Sequence, residues 1–350
     1  MRVYSLPRAL KRLGIVAAGG LILAGLSGHA FAKTDLLFYT AVEADELAGM
    51  KKAIEKAVPE VTVKWVRDST GVVAAKLLAE KDNPRADIVW GLAATNLSML
   101  SKIGYFQPYA PKGLNKLDKR FYDTKSKTPL WIGQRVYAAA ICFNTKEAAK
   151  KNLPKPTSWR SLINPAYANS IIMPNPNSSG TGFLNVSSWM QIWGEGAAWT
   201  YMDGLHKNIA RYTHSGSAPC KLAASGEIPI GISFAYRAVK SKKEGAPLDV
   251  IYAEEGLGWE LEAFAIVKNT KHAALAKKVA DWAVSRDAMT LYAPGYEAVA
   301  MPGVPNPTAE LQGVESKFVK NDFGWAGDNY KRILDEWQKR YDAKSDPKKK

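Results

Sequence analysis

The chain has 350 residues, of which 47% are apolar, and its formal net charge is +15. Its two cysteines and four histidines are not spaced as metal ligands, and no nucleic-acid-binding motif accompanies the basic charge. We therefore expect no metal, no other cofactor and no nucleic-acid partner. The length exceeds the size at which one hydrophobic core usually stops growing, which favours two lobes.

Residues 1–32 have the pattern of a secretory signal peptide. Four basic residues precede an apolar run at 13–26, and small residues at 30 and 32 form a cleavage signal. The apolar run is too short for a membrane span. We expect cleavage before Lys33, which lowers the net charge from +15 to +11, and a location in the periplasm.

Strands alternate with helices after the predicted cleavage point. The predicted elements are the strand 35–39, a helix through 47–57, the strand 61–66, the helix 72–80, the strand 87–90 and the helix 95–103. Glu43, Asp45 and Glu46 are expected in the first turn of the first helix, where acidic side chains suit the helix dipole. Such alternation predicts a parallel sheet.

The segment 136–257 predicts a second α/β lobe. Its expected elements are strands at 136–143, 170–173 and 228–234 and helices at 159–162, 184–193, 199–206 and 219–225. A strand at 259–267 returns the chain to the first lobe, which we expect to comprise 33–135 and 258–350, with amphipathic helices at 273–284 and 330–341. Cys142 and Cys220 permit one disulfide in an oxidising compartment, although buried free thiols are equally familiar.

Loops that follow strands are the candidate ligand contacts, because open α/β sheets bind ligands beyond the carboxyl ends of their strands. Six such loops lie at 39–41, 68–71, 91–95, 175–181, 213–217 and 233–237. The loop Asn175–Thr181 combines serine, glycine and threonine between a strand and a helix. Its backbone N–H groups and hydroxyls predict an oxyanion site at the positive end of the helix. A simple N-cap with a glycine turn is the alternative.

Six motifs carry a resemblance to a known family. They are FYTAVEADEL (38–47), DSTG (68–71), ADIVWG (86–91), SSGTG (178–182), YTHSGS (212–217) and GISFAYR (231–237). In this order they resemble periplasmic solute-binding proteins of ABC importers, in the branch that includes ferric-ion-binding proteins, and most closely 2-aminoethylphosphonate-binding proteins. The resemblance implies an α/β, two-lobed type II periplasmic binding protein fold. Each lobe would be a sheet flanked by helices, with the ligand in the interlobe cleft. It also implies a monomer that delivers its solute to an inner-membrane ABC permease.

The chain departs from the ferric-binding pattern at the metal ligands. In our alignment, the metal-binding His falls on Glu43, the Glu falls near Leu92, and the pair of adjacent Tyr falls on Tyr236 and Arg237. Iron prefers hard anionic ligands and would be repelled by an arginine, whereas an oxyanion gains donors from it. The sequence therefore predicts a site converted from metal to anion.

The resemblance implies contacts to the two ends of 2-aminoethylphosphonate. We expect the phosphonate at 178–181 and 69–71 with help from Arg237, and the ammonium at Glu43. Glu254 and Glu255 are second choices, and Glu43 could instead be a first-turn helix acid. The complete set of expected ligand contacts is Tyr39, Thr40, Glu43, Ser69, Thr70, Gly71, Ser178, Ser179, Gly180, Thr181, Ser215, Tyr236 and Arg237.

Three other functions remain open from the sequence. The ligand could be another organophosphate such as a sugar phosphate, which a roomier pocket without a carboxylate would favour. It could be ferric iron. The same fold could also host an enzyme, although the chain has no Gly-x-Ser-x-Gly motif, and we expect binding without catalysis.

Overall fold

The computed structural model describes residues 33–347. The predicted signal peptide at 1–32 and the last three lysines lie outside the described residues.

Within the described residues, ten strands form one continuous sheet. The strands are β1 (Thr34–Thr40), β2 (Val61–Arg67), β3 (Ile88–Ala93), β4 (Ile132–Asn144), β5 (Ile171–Pro174), β6 (Ile209–Thr213), β7 (Ile230–Phe234), β8 (Leu248–Ile251), β9 (Trp259–Ile266) and β10 (Ala298–Val299). Their order is β2-β1-β3-β9-β4-β7-β5-β6, and β8 and β10 also pair with β4. The parallel pairing expected near the N-terminus is present, since β1 runs parallel to both β2 and β3.

Helices follow most of these strands. They are α1 (Leu47–Ala57), α2 (Thr70–Ala79), α3 (Ala94–Lys102), α4 (Thr145–Lys150), α5 (Gly180–Trp193), α6 (Glu195–Asn208), α7 (Ala218–Ala224), α8 (Ala235–Lys243), α9 (Ala273–Ala283), α10 (Arg286–Tyr292) and α11 (Phe323–Tyr341). Several short 3₁₀ turns complete the connections.

Strand β4 changes partners along its length. Its first half, up to Ala138, pairs with β9, and its second half, from Ala139, pairs with β7 and β8. We call β1, β2, β3, β9 and β10 the first strand group and β5 to β8 the second strand group. The expected lobe boundary between 135 and 136 lies on β4, and the division into lobes 33–135 with 258–350 and 136–257 stays a prediction.

Several helix starts differ from the sequence expectation. Helices α6 and α11 begin at Glu195 and Phe323, four and seven residues before their expected starts, and two further differences lie near the site. Helix α1 begins at Leu47, so Glu43, Asp45 and Glu46 lie before it and not in its first turn. Ion pairs with cations from other elements hold these acids there. Helix α5 begins at Gly180, four residues earlier than expected, because the Ser179 side chain caps it.

Helix α8 was missed in a segment that the sequence analysis assigned to a loop. Its buried residues Ala235, Ala238 and Val239 recur at helical spacing. The polar and charged residues among them obscure this spacing in the sequence.

The C-terminal helix α11 contacts the second strand group and helices that follow strands of both groups. Its Tyr330 ring packs against Phe183 of α5 with ring centroids 4.4 Å apart, and its Trp337 packs against Tyr212 of β6 at 4.8 Å. It also packs along α3, where Gly327 lies close to the backbone of Thr95. This helix therefore joins elements that are far apart in the sequence.

Cys142 and Cys220 form a disulfide between β4 and α7. Both side chains are buried, and their Cα atoms lie 5.4 Å apart, within the usual range. The bond fastens α7 to the sheet of the second strand group.

We predict that loss of this disulfide lowers stability without changing the fold. The bridge spans 78 residues, and a loop of this length restricts the unfolded chain by about 4 kcal/mol in the chain-entropy description. Denaturant unfolding of the oxidised and reduced protein should show a lower midpoint after reduction. The double variant Cys142→Ala/Cys220→Ala is the control, because reductant should not affect it. Equal midpoints for oxidised and reduced wild type would contradict the prediction.

Candidate ligand-binding site

Residues from both strand groups surround one cavity. Each of the six loops expected from the sequence contributes at least one residue to its wall. The cavity is lined by Ala41, Glu43, Arg67, Ser69, Thr70, Gly91, Ala93, Tyr137, Ser179, Gly180, Thr181, Ser215, Gly216, Phe234 and Glu262.

The loop before α5 is held by its own hydrogen bonds. The Ser179 hydroxyl oxygen accepts a hydrogen bond of 3.2 Å from the Gly182 N–H, and the Ser179 N–H donates to the Asn175 carbonyl at 2.9 Å. Gly180 and Thr181 open the helix, so their N–H groups have no acceptor in a preceding turn. They lie in the cavity wall, where they can donate to a ligand.

The start of α2 lies against the start of α5. The Gly71 N–H donates a hydrogen bond of 3.0 Å to the Ser178 carbonyl across the cavity edge. A Cβ atom on Gly180 would lie 2.7 Å from the Thr70 hydroxyl oxygen, so only glycine permits this approach. Two helix N-termini, each with partial positive charge, therefore meet at the cavity.

A third helix, α3, also begins at the cavity, but its N-terminus is already occupied. Glu260 of β9 lies against it, and the Thr95 hydroxyl donates a 2.5 Å hydrogen bond to the Glu260 carboxylate. Burial raises the pKa of Glu260 to about 7, although these hydrogen bonds lower it. Helices α2 and α5 are consequently the ones open to a ligand anion.

Three cations lie within 4.0 Å of the Glu43 carboxylate. Arg237 forms a hydrogen-bonded ion pair with it, Lys221 Nζ lies at 3.8 Å, and Arg67 Nη2 lies at 4.0 Å. Arg237 is buried and also contacts Asp45 at 3.4 Å, whereas Arg67 is anchored by a 3.0 Å bond from its Nε to the Val42 carbonyl. This wall of the cavity therefore carries excess positive charge.

Another wall carries excess negative charge. Buried Arg135 binds the two Glu46 carboxylate oxygens at 2.7 and 2.9 Å and Glu262 Oε2 at 2.7 Å. The Tyr296 hydroxyl donates to Glu46 at 2.9 Å, and the Tyr296 ring lies 3.6 Å from the guanidinium. The pKa of Glu262 is raised to about 7. Burial is the largest cause, the positive charge of Arg135 opposes it, and the negative charge of Glu46 adds to it.

Seven of the expected contact residues lie in the cavity wall. They are Glu43, Ser69, Thr70, Ser179, Gly180, Thr181 and Ser215. The structure brings these residues together from four separate loops, as the sequence analysis expected for its post-strand segments. Their contact with a ligand stays a prediction.

The other six expected contacts lie behind the wall. The Tyr39 hydroxyl donates to Glu80 at 3.0 Å, and the Thr40 hydroxyl accepts from the Val42 N–H at 3.1 Å. Gly71 binds Ser178 through its backbone, and the Ser178 hydroxyl donates to the His214 carbonyl at 3.0 Å.

The side chains of the adjacent residues Tyr236 and Arg237 also contact other protein side chains. The Tyr236 ring stacks on Tyr296 with centroids 4.6 Å apart, and Arg237 is bound to Glu43. Of the second-choice carboxylates, Glu255 accepts hydrogen bonds of 2.9 Å from the Trp159 and Arg160 N–H groups. These side chains shape the site from outside its surface.

The sequence analysis missed three polar lining residues. Arg67 directly precedes the loop 68–71, and this adjacency was a usable signal. Glu262 is a charged residue inside an otherwise buried strand, which is also an unusual feature. Tyr137 lies in the long apolar strand β4, where nothing in the sequence marks it.

A family profile described as "Bacterial extracellular solute-binding protein" matches residues 83–324. The chain is also 30% identical over 285 residues to an uncharacterized protein of Haemophilus influenzae, covering 80% of this chain and 82% of that protein. The chain belongs to the bacterial extracellular solute-binding proteins. It is 26% identical to a probable ABC transporter periplasmic-binding protein, y4fP, of Sinorhizobium fredii, covering 71% of this chain and 69% of that one. The chain is thus a periplasmic-type solute-binding protein of ABC transporters, a class that passes small ligands to membrane permeases.

A solved structure confirms the expected fold class. The periplasmic binding protein AfuA of Actinobacillus pleuropneumoniae, with fructose-6-phosphate bound, superposes with a TM-score of 0.80. The two proteins are 28% identical, and the match covers 88% of this chain and 98% of that chain. The two-lobed type II periplasmic binding protein fold is therefore confirmed. Among residues 33–347, no helix combines the length and apolarity needed to cross a bilayer.

We predict that Gly180→Ala separates α2 from α5. The added methyl group would overlap Thr70, and relieving such an overlap costs about 1–3 kcal/mol. Hydrogen exchange at the Gly71 amide should then become roughly tenfold to a hundredfold faster, because its bond to Ser178 opens. Gly196→Ala in α6 is the control, since a Cβ there meets nothing within 4 Å. Equal exchange at Gly71 in wild type and Gly180→Ala would show that the two helices do not depend on this contact.

Proposed function

We propose that this protein binds 2-aminoethylphosphonate in the cavity and delivers it to an inner-membrane ABC permease. The observation that carries the proposal is the meeting of the α2 and α5 N-termini, with their hydroxyl groups, beside Arg67. A phosphonate requires several converging donors, and this wall offers them.

The anion end of the ligand is matched by donors of three kinds. Thr181 and Ser69 provide hydroxyl groups, and the start of α5 provides free backbone N–H groups. Arg67 provides a guanidinium whose Nε is already fixed, so its remaining N–H groups can bind phosphonate oxygens in a defined orientation. The three cations around Glu43 outnumber the two carboxylates of Glu43 and Asp45 and favour an anion nearby.

The amine end of the ligand is supported by the carboxylate in the wall. The cavity wall contains Glu262, whose Oε2 is paired with Arg135 and whose Oε1 accepts only a long hydrogen bond of 3.4 Å from Tyr296. A small zwitterion with a phosphonate and an ammonium fits both charged walls.

A sugar phosphate is the second candidate, and one observation favours it. AfuA, which is 28% identical to this chain, is described with fructose-6-phosphate bound. The donors at α2 and α5 would serve a phosphate group equally well. The two candidates differ in the ammonium, which a sugar phosphate lacks.

Ferric iron is disfavoured by the chemistry of the site. Among residues 33–347, no group of three His, Cys, Asp or Glu side chains could hold a metal ion. Burial, followed by the charge of Glu46, raises the pKa of the Tyr236 phenol, so the phenolate that iron would require is suppressed.

We further propose that the protein acts as a periplasmic monomer after cleavage at Ala32, and that it binds without chemical turnover. The family membership supports the periplasmic role. Mass spectrometry of the ligand after incubation should return it unchanged.

A thermal-shift panel tests the proposed ligand. We expect 2-aminoethylphosphonate to raise the melting temperature most, because saturation at about 100 times Kd stabilises by about 2.7 kcal/mol. Phosphate, ethylphosphonate, fructose-6-phosphate and ferric citrate are the comparison ligands. A larger shift with fructose-6-phosphate would favour the second candidate, and a shift with ferric citrate alone would exclude both.

Thr181→Val tests the anion end directly. The substitution keeps the shape and removes a hydroxyl group, and a hydrogen bond to a charged group contributes about 1.5–3 kcal/mol. We expect the calorimetric Kd for 2-aminoethylphosphonate to rise roughly tenfold to a hundredfold. Thr200→Val, on the exposed face of α6, is the matched control and should bind as wild type does. An unchanged Kd in Thr181→Val would remove this loop from the site.

A further inference from the structure

We infer that Glu262, and not Glu43, receives the ammonium group of the ligand and selects amine-bearing phosphonates over those without an amine. The inference rests on the proposed function, because it assigns the second end of the same ligand. It is carried by the contacts of the two carboxylates.

Glu43 already has its counter-charges. Arg237 binds its Oε2 within the protein, and Lys221 and Arg67 lie within 4.0 Å of the same carboxylate. An ammonium group placed there would enter a region where cations already exceed carboxylates. Like charges at such distances repel, more strongly in a poorly hydrated site than in water. Glu43 is therefore suited to joining the two strand groups and poorly suited to binding a ligand cation.

Glu262 has one oxygen available. Its Oε2 accepts from Arg135 at 2.7 Å, while its Oε1 accepts only a long 3.4 Å hydrogen bond from Tyr296. The carboxylate lies in the cavity wall beside Gly91, where an added Cβ would lie 3.4 Å from Oε2. Gly91 has a φ of +59°, and an added Cβ there would overlap the Val42 side chain, so glycine lets Val42 and Glu262 pack together at this point.

The charges around Glu262 do not balance. One guanidinium, Arg135, is shared between the carboxylates of Glu46 and Glu262. Glu43 adds further negative potential, and Tyr296 contributes no charge. Buried charges need partners, so this cluster lacks one cation. A ligand ammonium bound at Oε1 supplies it.

Two aromatic residues complete the surroundings of the ammonium. Tyr137 and Phe234 both line the cavity, and their rings pack edge to face with centroids 5.9 Å apart. Aromatic faces attract cations and exclude water. The methylene groups of the ligand can contact the same surface.

Calorimetry with two ligands and four proteins tests the inference. Wild type and the variants Glu262→Gln, Glu43→Gln and Glu262→Asp are each titrated with 2-aminoethylphosphonate and with ethylphosphonate, which has no amine. We expect wild type to prefer the amine-bearing ligand and Glu262→Gln to lose that preference by about tenfold or more, since a charge-assisted bond is removed. Glu43→Gln should change the affinity for both ligands alike and keep the preference. Glu262→Asp keeps the negative charge, so it should keep part of the preference for the amine-bearing ligand.

A pH titration of the wild-type protein tests the same inference and does not depend on whether the variants fold. Because the Glu262 carboxyl has a pKa raised to about 7, it becomes protonated below that pH and cannot pair with an ammonium. The preference for the amine-bearing ligand should therefore fall between pH 8 and pH 6, after correction for the measured ionisation of each free ligand. The charged groups facing Glu262 are Arg135, Glu46 and Glu43, and Arg135 stays charged throughout this range. Three tyrosines, Tyr137, Tyr292 and Tyr296, also face it, and burial raises the pKa of each phenol, so they stay uncharged.

Other outcomes separate this inference from the proposed function. If Glu262→Gln loses both ligands equally while wild type prefers the amine, or if Glu43→Gln alone loses the preference, Glu262 is not the ammonium site and the proposed function stands. If wild type binds both ligands equally, the cavity recognises only the phosphonate and the inference is overturned. If wild type binds neither ligand, the proposed function and the inference are both overturned.

Discussion

The rest of the site depends on the contact between the first turns of α2 and α5. The Gly71 N–H, which has no acceptor within its own helix, binds the Ser178 carbonyl at 3.0 Å. Gly180 permits this approach because it places no side chain against Thr70. One helix follows a strand of the first group and the other follows a strand of the second. Their meeting therefore closes the cavity and directs the free donors of both helices into one space.

Strand β9 shows how one face of a strand serves two purposes. Glu260 and Glu262 are two residues apart, so both side chains lie on the same face of the sheet. Glu260 is fully enclosed at the start of α3, where Thr95 and the helix dipole offset its charge. Glu262 shares Arg135 with Glu46 and lies in the cavity wall. Because Glu260 occupies the N-terminus of α3, only the N-termini of α2 and α5 are open to an anion. Glu260 therefore lies between the positive wall of the cavity and the negative one.

Local patterns in the sequence were sufficient for the alternation of strands and helices and for the loops that line the cavity. Turn residues after apolar runs report on backbone conformation, which is a local property. The partners of charged side chains are not local. Glu46 and Arg135 are 89 residues apart, and Glu43 and Arg237 are 194 apart. Nothing near Glu43 in the sequence shows that it is neutralised, so it was expected to bind the ligand. Tyr39 was likewise expected at the site, because its position at a strand end does not reveal that its hydroxyl turns to Glu80.

The pair formed by Glu43 and Arg237 gives the departures from the ferric-binding pattern a physical meaning. In the alignment suggested by the resemblance, Glu43 takes the position of a metal-binding His and Arg237 takes that of a metal-binding Tyr. The structure joins these two side chains to each other, from the segment before α1 and from the first turn of α8. A direct ion pair thereby links the two strand groups, as a shared metal ion would, and occupies the ligand positions that a metal would require. Because Glu43 and Arg237 are paired with each other within the protein, the free donors of α2, α5 and Arg67 are left for an anion.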